Sequence, residues 1–235
     1  MLTASFFTFP PPSLEQSPSG FIIDISEQAF YDVDCTVRQG EAIVRQQKAT
    51  RRMEPITQIN YNNLYAQDGD VRYAAMNYIL NATEQPVDWA YEVWDDLLGH
   101  LQDKNNHVRA IAAQVLANLA KSDPAGRMLH DFAALLNGTR DERFVTARHT
   151  LQALWKIGAV GPPQQQVVVD GLAGRFNDCD AEKNCTLIRY DIIEGLKQLY
   201  DAVRDERIRE QALALIATEQ DEKYRKKYAS IWKKK

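Results

Sequence analysis

Along most of this chain, apolar residues return every three or four positions, which is the spacing of one face of an α-helix. The spacing predicts an all-α protein whose helices share a common core through these faces. The residues expected in that core are Leu64, Ile79, Leu97, Leu98, Leu101, Val108, Ala112, Val115, Leu116, Leu119, Leu135, Leu136, Leu151, Leu154 and Leu172.

A short phrase recurs at a longer interval. It joins an aliphatic residue, an arginine and one or more alanines, and it is clearest in residues 68–75 and 106–113. Val71 and Val108 lie 37 positions apart. Looser copies are found at 141–147, 187–192 and 205–212. A repeat of this length predicts a stack of two-helix units, with the phrase opening the second helix of each unit.

The predicted helix pairs follow from this repeat. They are 55–66 with 69–82, 87–101 with 105–121, 124–137 with 140–157, 163–176 with 185–201, and 205–218 with 221–233. Proline is expected to open a first helix, because its missing N–H would be unpaired there. The prolines with the right spacing are Pro55, Pro86, Pro124 and Pro162. Residues 163–176 carry three valines in a row and two glycines, which disfavour a helix. We predict a helix there only because the repeat requires one.

Capping residues refine these limits. Asp123 is expected to cap the helix at 124–137, since its carboxylate can accept an unpaired backbone N–H. Thr139 and Glu142 have the spacing of a capping box ahead of the following helix. Gly138 and Gly158 fit the C-terminal ends of the two helices of this pair.

Residues 1–53 follow neither pattern. The stretch from Pro10 to Gly20 is rich in proline and serine, so we do not expect it to pack a core. The sequence therefore predicts two parts. Residues 1–53 are a poorly ordered N-terminal tail or an upstream extension, and residues 54–235 are the repeat domain. The first residues lack the basic start of a secretory signal.

The phrase in residues 68–75 and 106–113, in which a Val-Arg pair follows an acidic or amide residue and precedes two alanines, resembles HEAT repeats. The resemblance covers residues 54–235. It implies a right-handed α–α superhelix (α-solenoid) of about five helix pairs, in which an atypical terminal unit would explain the irregular last copy. It also implies a scaffold or adapter that holds a protein partner, although it names no particular one.

The same resemblance implies ionic contacts between neighbouring repeats, from an acidic residue before the second helix to an arginine within it. The residues at those positions are Asp70, Arg72, Arg109, Asp141, Arg143, Arg189, Asp205 and Arg209. A bidentate Arg–carboxylate contact suits such a join. We therefore expect these arginines to fix the stacking of the repeats rather than to bind a ligand.

Second helices in such arrays line the concave side, so positions that point away from the core predict the binding surface. The row so defined includes Met76, Ala110, Ala113, Val145 and Ile193. The residues predicted to bind a partner are Tyr73, Asn77, Gln114, Arg148, His149, Gln152, Tyr190, Glu194 and Lys197. Aromatic and arginine side chains among small ones are typical of protein interfaces. The alternative is an ordinary solvated helix surface.

Net charge and cysteine content indicate what kind of protein this is and in which compartment we expect it. The net charge of −4 over 235 residues argues against a dedicated nucleic-acid binder. No apolar run reaches the ~18 residues of a membrane span. Cys35, Cys179 and Cys185 are an odd and sparse set, which predicts a reducing, cytoplasmic compartment. Cys179 and Cys185 match no zinc spacing, so we expect incidental loop cysteines, with no metal and no cofactor.

The basic run 223–235 is interleaved with aromatic residues. Tyr224, Tyr228, Ile231 and Trp232 have helical spacing and are expected to dock on the last layer of the core. The lysines would then form a solvated end. The alternative for this run is contact with a phosphate backbone or another anionic surface.

No phosphate-binding loop or nucleophile elbow is present, so we predict a non-enzymatic, monomeric protein-binding scaffold. The alternative class is a DNA-binding HEAT-like glycosylase that acts on alkylated bases, which needs a positive channel with an aspartate beside tryptophan and arginine. Trp155 with Arg148 comes nearest to that set, whereas Trp89 and Trp94 are expected to face outward. A chromophore lyase or chaperone would be a third class, but the chain carries no matching motif.

Overall fold

The structure is a computed structural model that describes residues 53–233. This range contains ten α-helices, one short 3₁₀ turn and no strand, so the all-α prediction is confirmed. The helices are α1 Pro55–Asn63, α2 Gly69–Ala82, α3 Ala90–His100, α4 Asn106–Leu119, α5 Arg127–Gly138, α6 Phe144–Gly158, α7 Pro162–Asp178, α8 Cys185–Val203, α9 Glu206–Thr218 and α10 Glu222–Ile231. The predicted N-terminal tail lies outside the described residues, apart from Met53, which is buried.

Consecutive pairs pack through their second helices. Helix α2 contacts α4, α4 contacts α6, α6 contacts α8, and α8 contacts α10, so these helices lie side by side in one row. The first helices α5, α7 and α9 contact one another in the same way. Among residues 53–233, one hydrophobic cluster extends from Met53 to Ile231. Every residue predicted for the core lies in or against the interior, with Leu98 and Leu136 half-buried. Each buried aliphatic side chain contributes about 2 kcal/mol, so this shared core holds the pairs together.

The prolines mark two of the four helix starts predicted from them. Pro55 and Pro162 are the first residues of α1 and α7. Helix α3 starts only at Ala90 and helix α5 only at Arg127, after the turns that contain the other two prolines. Asp123 still caps α5, because its carboxylate accepts the Arg127 N–H at 3.0 Å across the turn.

The predicted capping box at Thr139 and Glu142 is wrong. Thr139 closes α5, where its hydroxyl donates to the Leu136 carbonyl at 2.7 Å. The turn before α6 is held instead by Asp141, whose carboxylate accepts the Arg143 N–H at 2.8 Å. Asp141 lies closer to the start of α6 and can reach the backbone that Thr139, buried in the previous helix end, cannot.

Helix α7 runs through the valines and glycines that disfavour a helix. A Cβ atom on Gly171 would lie 2.9 Å from the Phe132 ring and 3.1 Å from the Leu136 side chain, both on α5. Glycine at this position therefore lets α7 approach α5 closely. The helix-propensity cost of this glycine relative to alanine is about 1 kcal/mol.

The last copy of the repeat has a different register from the predicted one. Residues 205–212 open α9, which is a first helix. The counterpart of Arg72 is instead Arg225, in α10. Arg72 donates to the Ala66 carbonyl at 2.7 Å, and Arg225 donates to the Glu219 carbonyl at 3.3 Å, in each case six residues earlier. The correct copy is hard to see in the sequence because α10 places lysines and tyrosines where earlier copies have alanines.

Two other expectations are corrected. Cys179 and Cys185 are not incidental loop cysteines but form a disulfide, because the turn between α7 and α8 reverses the chain and brings their Cα atoms to 5.1 Å. Trp89 and Trp94 do not face outward but are buried. The indole N–H of Trp94 donates to Asp131 at 2.9 Å, so the ring can pack in the core with its polar atom paired.

The C-terminal aromatic residues dock on the core as predicted. Tyr228 is fully buried, and its hydroxyl donates to the Thr186 carbonyl of α8 at 2.9 Å. Burial raises the pKa of this phenol above its usual value. Ile231 is also buried, while Tyr224 and Trp232 are half-buried against the same cluster. Within residues 53–233, no helix combines the length and the apolar character needed to cross a membrane.

Candidate binding groove

The N-terminal parts of α2, α4 and α6 line a groove of about 360 Å³, named here the α2–α4–α6 groove. Its lining residues are Gly69, Arg72, Tyr73, Met76, Asn106, His107, Ala110, Ile111, Gln114, Val145, Thr146 and His149. Ala110 and Ile111 are buried, whereas Tyr73 and Val145 are 64% and 62% exposed. The groove thus combines an apolar floor with two projecting apolar side chains, and its volume is within the range of ligand-binding clefts.

A small side chain on the middle helix creates the depth of the groove. Helix α4 carries Ala110 where the flanking helices carry the larger Tyr73 and Val145. The Thr146 hydroxyl donates to the Asn106 carbonyl at 3.2 Å, which holds the first turn of α6 against the first turn of α4. The spacing of the walls therefore depends on a direct contact between two helix starts.

Three of the predicted binding residues line this groove, namely Tyr73, Gln114 and His149. The Gln114 amide nitrogen donates to the Ala110 carbonyl at 3.0 Å, and its side-chain oxygen accepts no hydrogen bond from residues 53–233. Asn77 is exposed on α2 but does not line the groove. The remaining predicted residues, Arg148 and Gln152 on α6 and Tyr190, Glu194 and Lys197 on α8, also lie outside it.

Arg148 and Gln152 join two repeats. Arg148 Nε and Nη2 donate to the two carboxylate oxygens of Asp191 on α8, at 2.7 and 2.9 Å. The Asp191 side chain is fully buried, and Gln152 reaches it at 3.5 Å. Hydrogen bonding to Asp191 raises the pKa of Arg148, so the guanidinium stays charged. This pair holds α6 on α8, and nothing in the sequence pattern had linked the two residues.

Tyr190, Glu194 and Lys197 lie on α8 near the C-terminal helix. The Lys227 ammonium lies 4.7 Å above the centre of the Tyr190 ring, which is a cation–π contact from α10. Lys197 bonds to Asp201 within its own helix and lies 5.8 Å from the Trp232 ring. Glu194 is half-buried. Helix α10 therefore already contacts this part of the predicted row.

The predicted contacts between repeats are confirmed for Arg109 and Asp141, which form a bidentate pair at 2.5 and 2.8 Å beside the groove. Burial alone would raise the pKa of Asp141, but the hydrogen bonds and charge of Arg109 hold it below its usual value. Arg189 also bonds across repeats, to Glu219 at 3.1 Å, an acid that the sequence pattern had not indicated. Among the described residues, Arg209 pairs only with Glu206 of its own helix.

Among residues 53–233, Arg72 is the one permanently charged residue that lines the groove. Arg72, His107 and His149 are its ionisable residues apart from Tyr73, and no carboxylate lines it within residues 53–233. Desolvation and the charge of Arg148 lower the pKa of His149 below its usual value. His149 is therefore mainly neutral near pH 7.

The described residues hold no cluster of three or more potential metal ligands. Trp155 is half-buried and does not line the groove, and Arg148 is already bonded to Asp191. The constellation that a glycosylase would need is therefore not assembled in the α2–α4–α6 groove. The groove offers a ligand apolar contacts and the side-chain donors of Arg72, Asn106 and the histidines.

Comparisons with known proteins identify no family. No family model matches the chain, and no curated protein matches it. Among solved structures, it is similar to two crystal structures of engineered proteins from the Northeast Structural Genomics Consortium. One is 17% identical, with a TM-score of 0.41 over 70% of this chain and 47% of that one. The other is 16% identical, with a TM-score of 0.40 over 76% of this chain and 95% of that one. The chain thus spans about half the length of the first.

Proposed function

We propose that this protein is a non-enzymatic scaffold that binds a protein partner in the α2–α4–α6 groove. The observation that carries the proposal is the exposure of Tyr73 and Val145 beside a buried apolar floor. A tyrosine offers a large apolar surface with few rotatable bonds, and such residues are often the energetic centres of protein interfaces.

A HEAT-like α-solenoid is part of the same proposal. Three features support it, namely the repeated phrase, the row of second helices and the Arg109–Asp141 contact between repeats. Arrays of this kind present one surface built from equivalent positions of several repeats. The groove fits that description, since three consecutive second helices contribute to it. We propose a monomer, with no nucleic acid and no cofactor in its working state.

Site-specific photocrosslinking in the full-length chain tests the proposal. A photoreactive phenylalanine analogue is introduced at Tyr73 or at Val145, and the crosslinked products from cells are identified by mass spectrometry. Leu213 on α9, which is 42% exposed and does not line the groove, provides the matched control position. We expect the same protein to be crosslinked at both groove positions and not at the control.

The outcomes are distinct. A Tyr73→Ser variant that keeps its unfolding midpoint should lose the partner in a competition assay, because the anchor is removed without a change in the core. Identical products at Leu213 and at the groove positions would count against a specific site. No crosslinked protein at either groove position would refute the proposed function.

Cytoplasmic placement also belongs to this proposal and has its own test. The Cys179–Cys185 disulfide argues against this placement, because disulfides are more usual in oxidising compartments. Cells can be lysed directly into an alkylating agent, and the two cysteines examined by mass spectrometry. Alkylated thiols are expected for a cytoplasmic protein, and an intact disulfide in the quenched extract would contradict that placement.

A further inference from the structure

Arg72 differs from Arg109 and Arg189, its counterparts in two later repeats. Arg109 bonds to Asp141, and Arg189 bonds to Glu219. In both cases the acid belongs to the following repeat and lies just before its second helix. Arg72, in contrast, donates from Nη1 to backbone carbonyls of its own loop, and no carboxylate within residues 53–233 forms an ion pair with it.

The acid at the corresponding place before α4 is Asp103, which is engaged elsewhere. Its Oδ1 accepts the Asn105 N–H at 2.7 Å, in the way that Asp141 and Glu219 hold their own loops. Its Oδ2 lies 3.6 Å from His100. The contact between the first and second repeats, which would join Arg72 to Asp103, is therefore not formed. Within the described residues, the Nε and Nη2 donors of Arg72 have no acceptor, and guanidinium nitrogens favour bidentate carboxylates.

These open donors belong to a residue that lines the α2–α4–α6 groove. His107 and His149 line it as well, and three helices contribute their first turns, where the helix dipole favours negative charge. Neither acid at the start of α2 lies in the lining: Asp68 caps the helix through its carboxylate, and Asp70 is the acidic residue of the first turn.

An apolar surface adjoins the open arginine. Tyr73 follows Arg72 directly in the chain, and Ala110 and Ile111 form the floor beside it. A ligand that satisfied Arg72 with a carboxylate could place a neighbouring apolar side chain on this floor. The arginine thus favours an acidic group on the ligand, and the apolar floor favours an apolar side chain beside it.

We infer that the groove recognises an extended segment of a protein partner in which an aspartate or glutamate adjoins a bulky apolar residue. The carboxylate binds Arg72 in the manner of Asp141 on Arg109, and the apolar side chain packs on Ala110 beside Tyr73. This inference rests on the proposed function and adds the chemistry of the partner to it.

A random peptide library displayed on phage and selected on the full-length chain tests the inference. We expect the selected peptides to share an acidic residue next to a leucine, isoleucine, methionine or aromatic residue. One selected peptide is then synthesised with a fluorescent label, together with a version in which Glu or Asp is replaced by its amide. Losing a charge-assisted hydrogen bond should weaken binding by about tenfold or more.

Variants of the protein test the same contact from the other side. Arg72→Met should lower the affinity for the acidic peptide by about tenfold and leave the affinity for the amide peptide unchanged. Arg72→Lys should keep most of the affinity for the acidic peptide. Arg209→Met is the matched control, since Arg209 is exposed on α9 and, within the described residues, pairs only with Glu206. If Arg72→Met does not fold, the comparison of the two peptides on the wild-type chain still decides the matter.

The outcomes separate this inference from the proposed function. Selected peptides that need Tyr73 but carry no acid, or that bind equally to Arg72→Met, would overturn acidic recognition and leave groove binding standing. Failure to select any peptide, together with failure of the crosslinking experiment, would overturn both.

Discussion

Replacing Arg148 with alanine is the sharpest test of how the repeats are held together. The change removes the two hydrogen bonds, of 2.7 and 2.9 Å, that satisfy the fully buried Asp191 carboxylate. Gln152 remains, but at 3.5 Å it is a weak substitute. The variant therefore leaves a buried negative charge without its counterion.

The expected cost follows from that geometry. Breaking a buried ion pair by removing one partner costs about 3–5 kcal/mol of unfolding free energy. Because the Arg148 side chain is 38% exposed, water can reach part of the gap, and we expect the lower end, about 3 kcal/mol. Arg148→Lys should cost less, since it keeps the charge but loses the bidentate geometry. A double change of Arg148→Met with Asp191→Leu should recover most of the loss, because no charge is then left buried.

Urea unfolding followed by circular dichroism measures these differences. With a slope of about 2 kcal/mol per molar urea, a loss of ~3 kcal/mol lowers the midpoint by roughly 1.5 M. The matched control is Arg140→Ala, which breaks a solvent-exposed Arg–Asp pair with Asp178 and should cost about 1 kcal/mol or less. If Arg148→Ala is no more damaging than Arg140→Ala, the buried pair is not what secures α6 on α8.

Other predictions address packing, the disulfide and pH. Gly171→Ala should lower the unfolding free energy by about 1–3 kcal/mol through overpacking. Gly174→Ala, with nothing within 4 Å of the new Cβ, should raise it by about 0.5–1 kcal/mol. Similar shifts in the thermal midpoints of the two variants would contradict the close approach of α7 and α5. Reducing the Cys179–Cys185 disulfide should cost about 2 kcal/mol by releasing a short loop in the unfolded chain, and a Cys179→Ser, Cys185→Ser double variant that is as stable as the oxidised protein would argue against this. His149 should titrate below 6.5 by NMR. Because its pKa is lower in the folded state, His149 takes up a proton at a higher pH in the unfolded chain than in the folded protein. The contribution of His149 to stability is therefore present above pH 6.5 and is lost as the pH falls below that value. His149→Gln should flatten this pH dependence of the unfolding free energy.

The helices could be predicted closely because their signals are local. The spacing of apolar residues along each helix specified its buried face, and all ten predicted helices are present within a few residues of their expected limits. The same reasoning misjudged α3, where Trp94 was expected to face solvent. Helix periodicity identifies an apolar face, but it does not show that a first helix buries that face as fully as a second helix does.

The candidate site was only partly accessible to such reasoning. Tyr73, Gln114 and His149 could be placed on one surface from their equivalent positions in the repeat. Arg148 shares that pattern, yet its role depends on Asp191, which is 43 residues away and carries no sequence signal as its partner. A repeat predicts which positions are equivalent, but it does not predict which of them find partners within the chain.

By itself, the sequence determined that this is an all-α protein, where its helices lie and which side chains form its core, because these properties depend on the order of residues within single helices. Tertiary structure alone decided that, within residues 53–233, Arg109 has a carboxylate partner while Arg72 has none, and that Ala110 leaves a groove between Tyr73 and Val145. Those features depend on distances between side chains of different helices. Such distances are set only when the helices pack, and a difference of one side chain is enough to close a contact or to leave a cavity open.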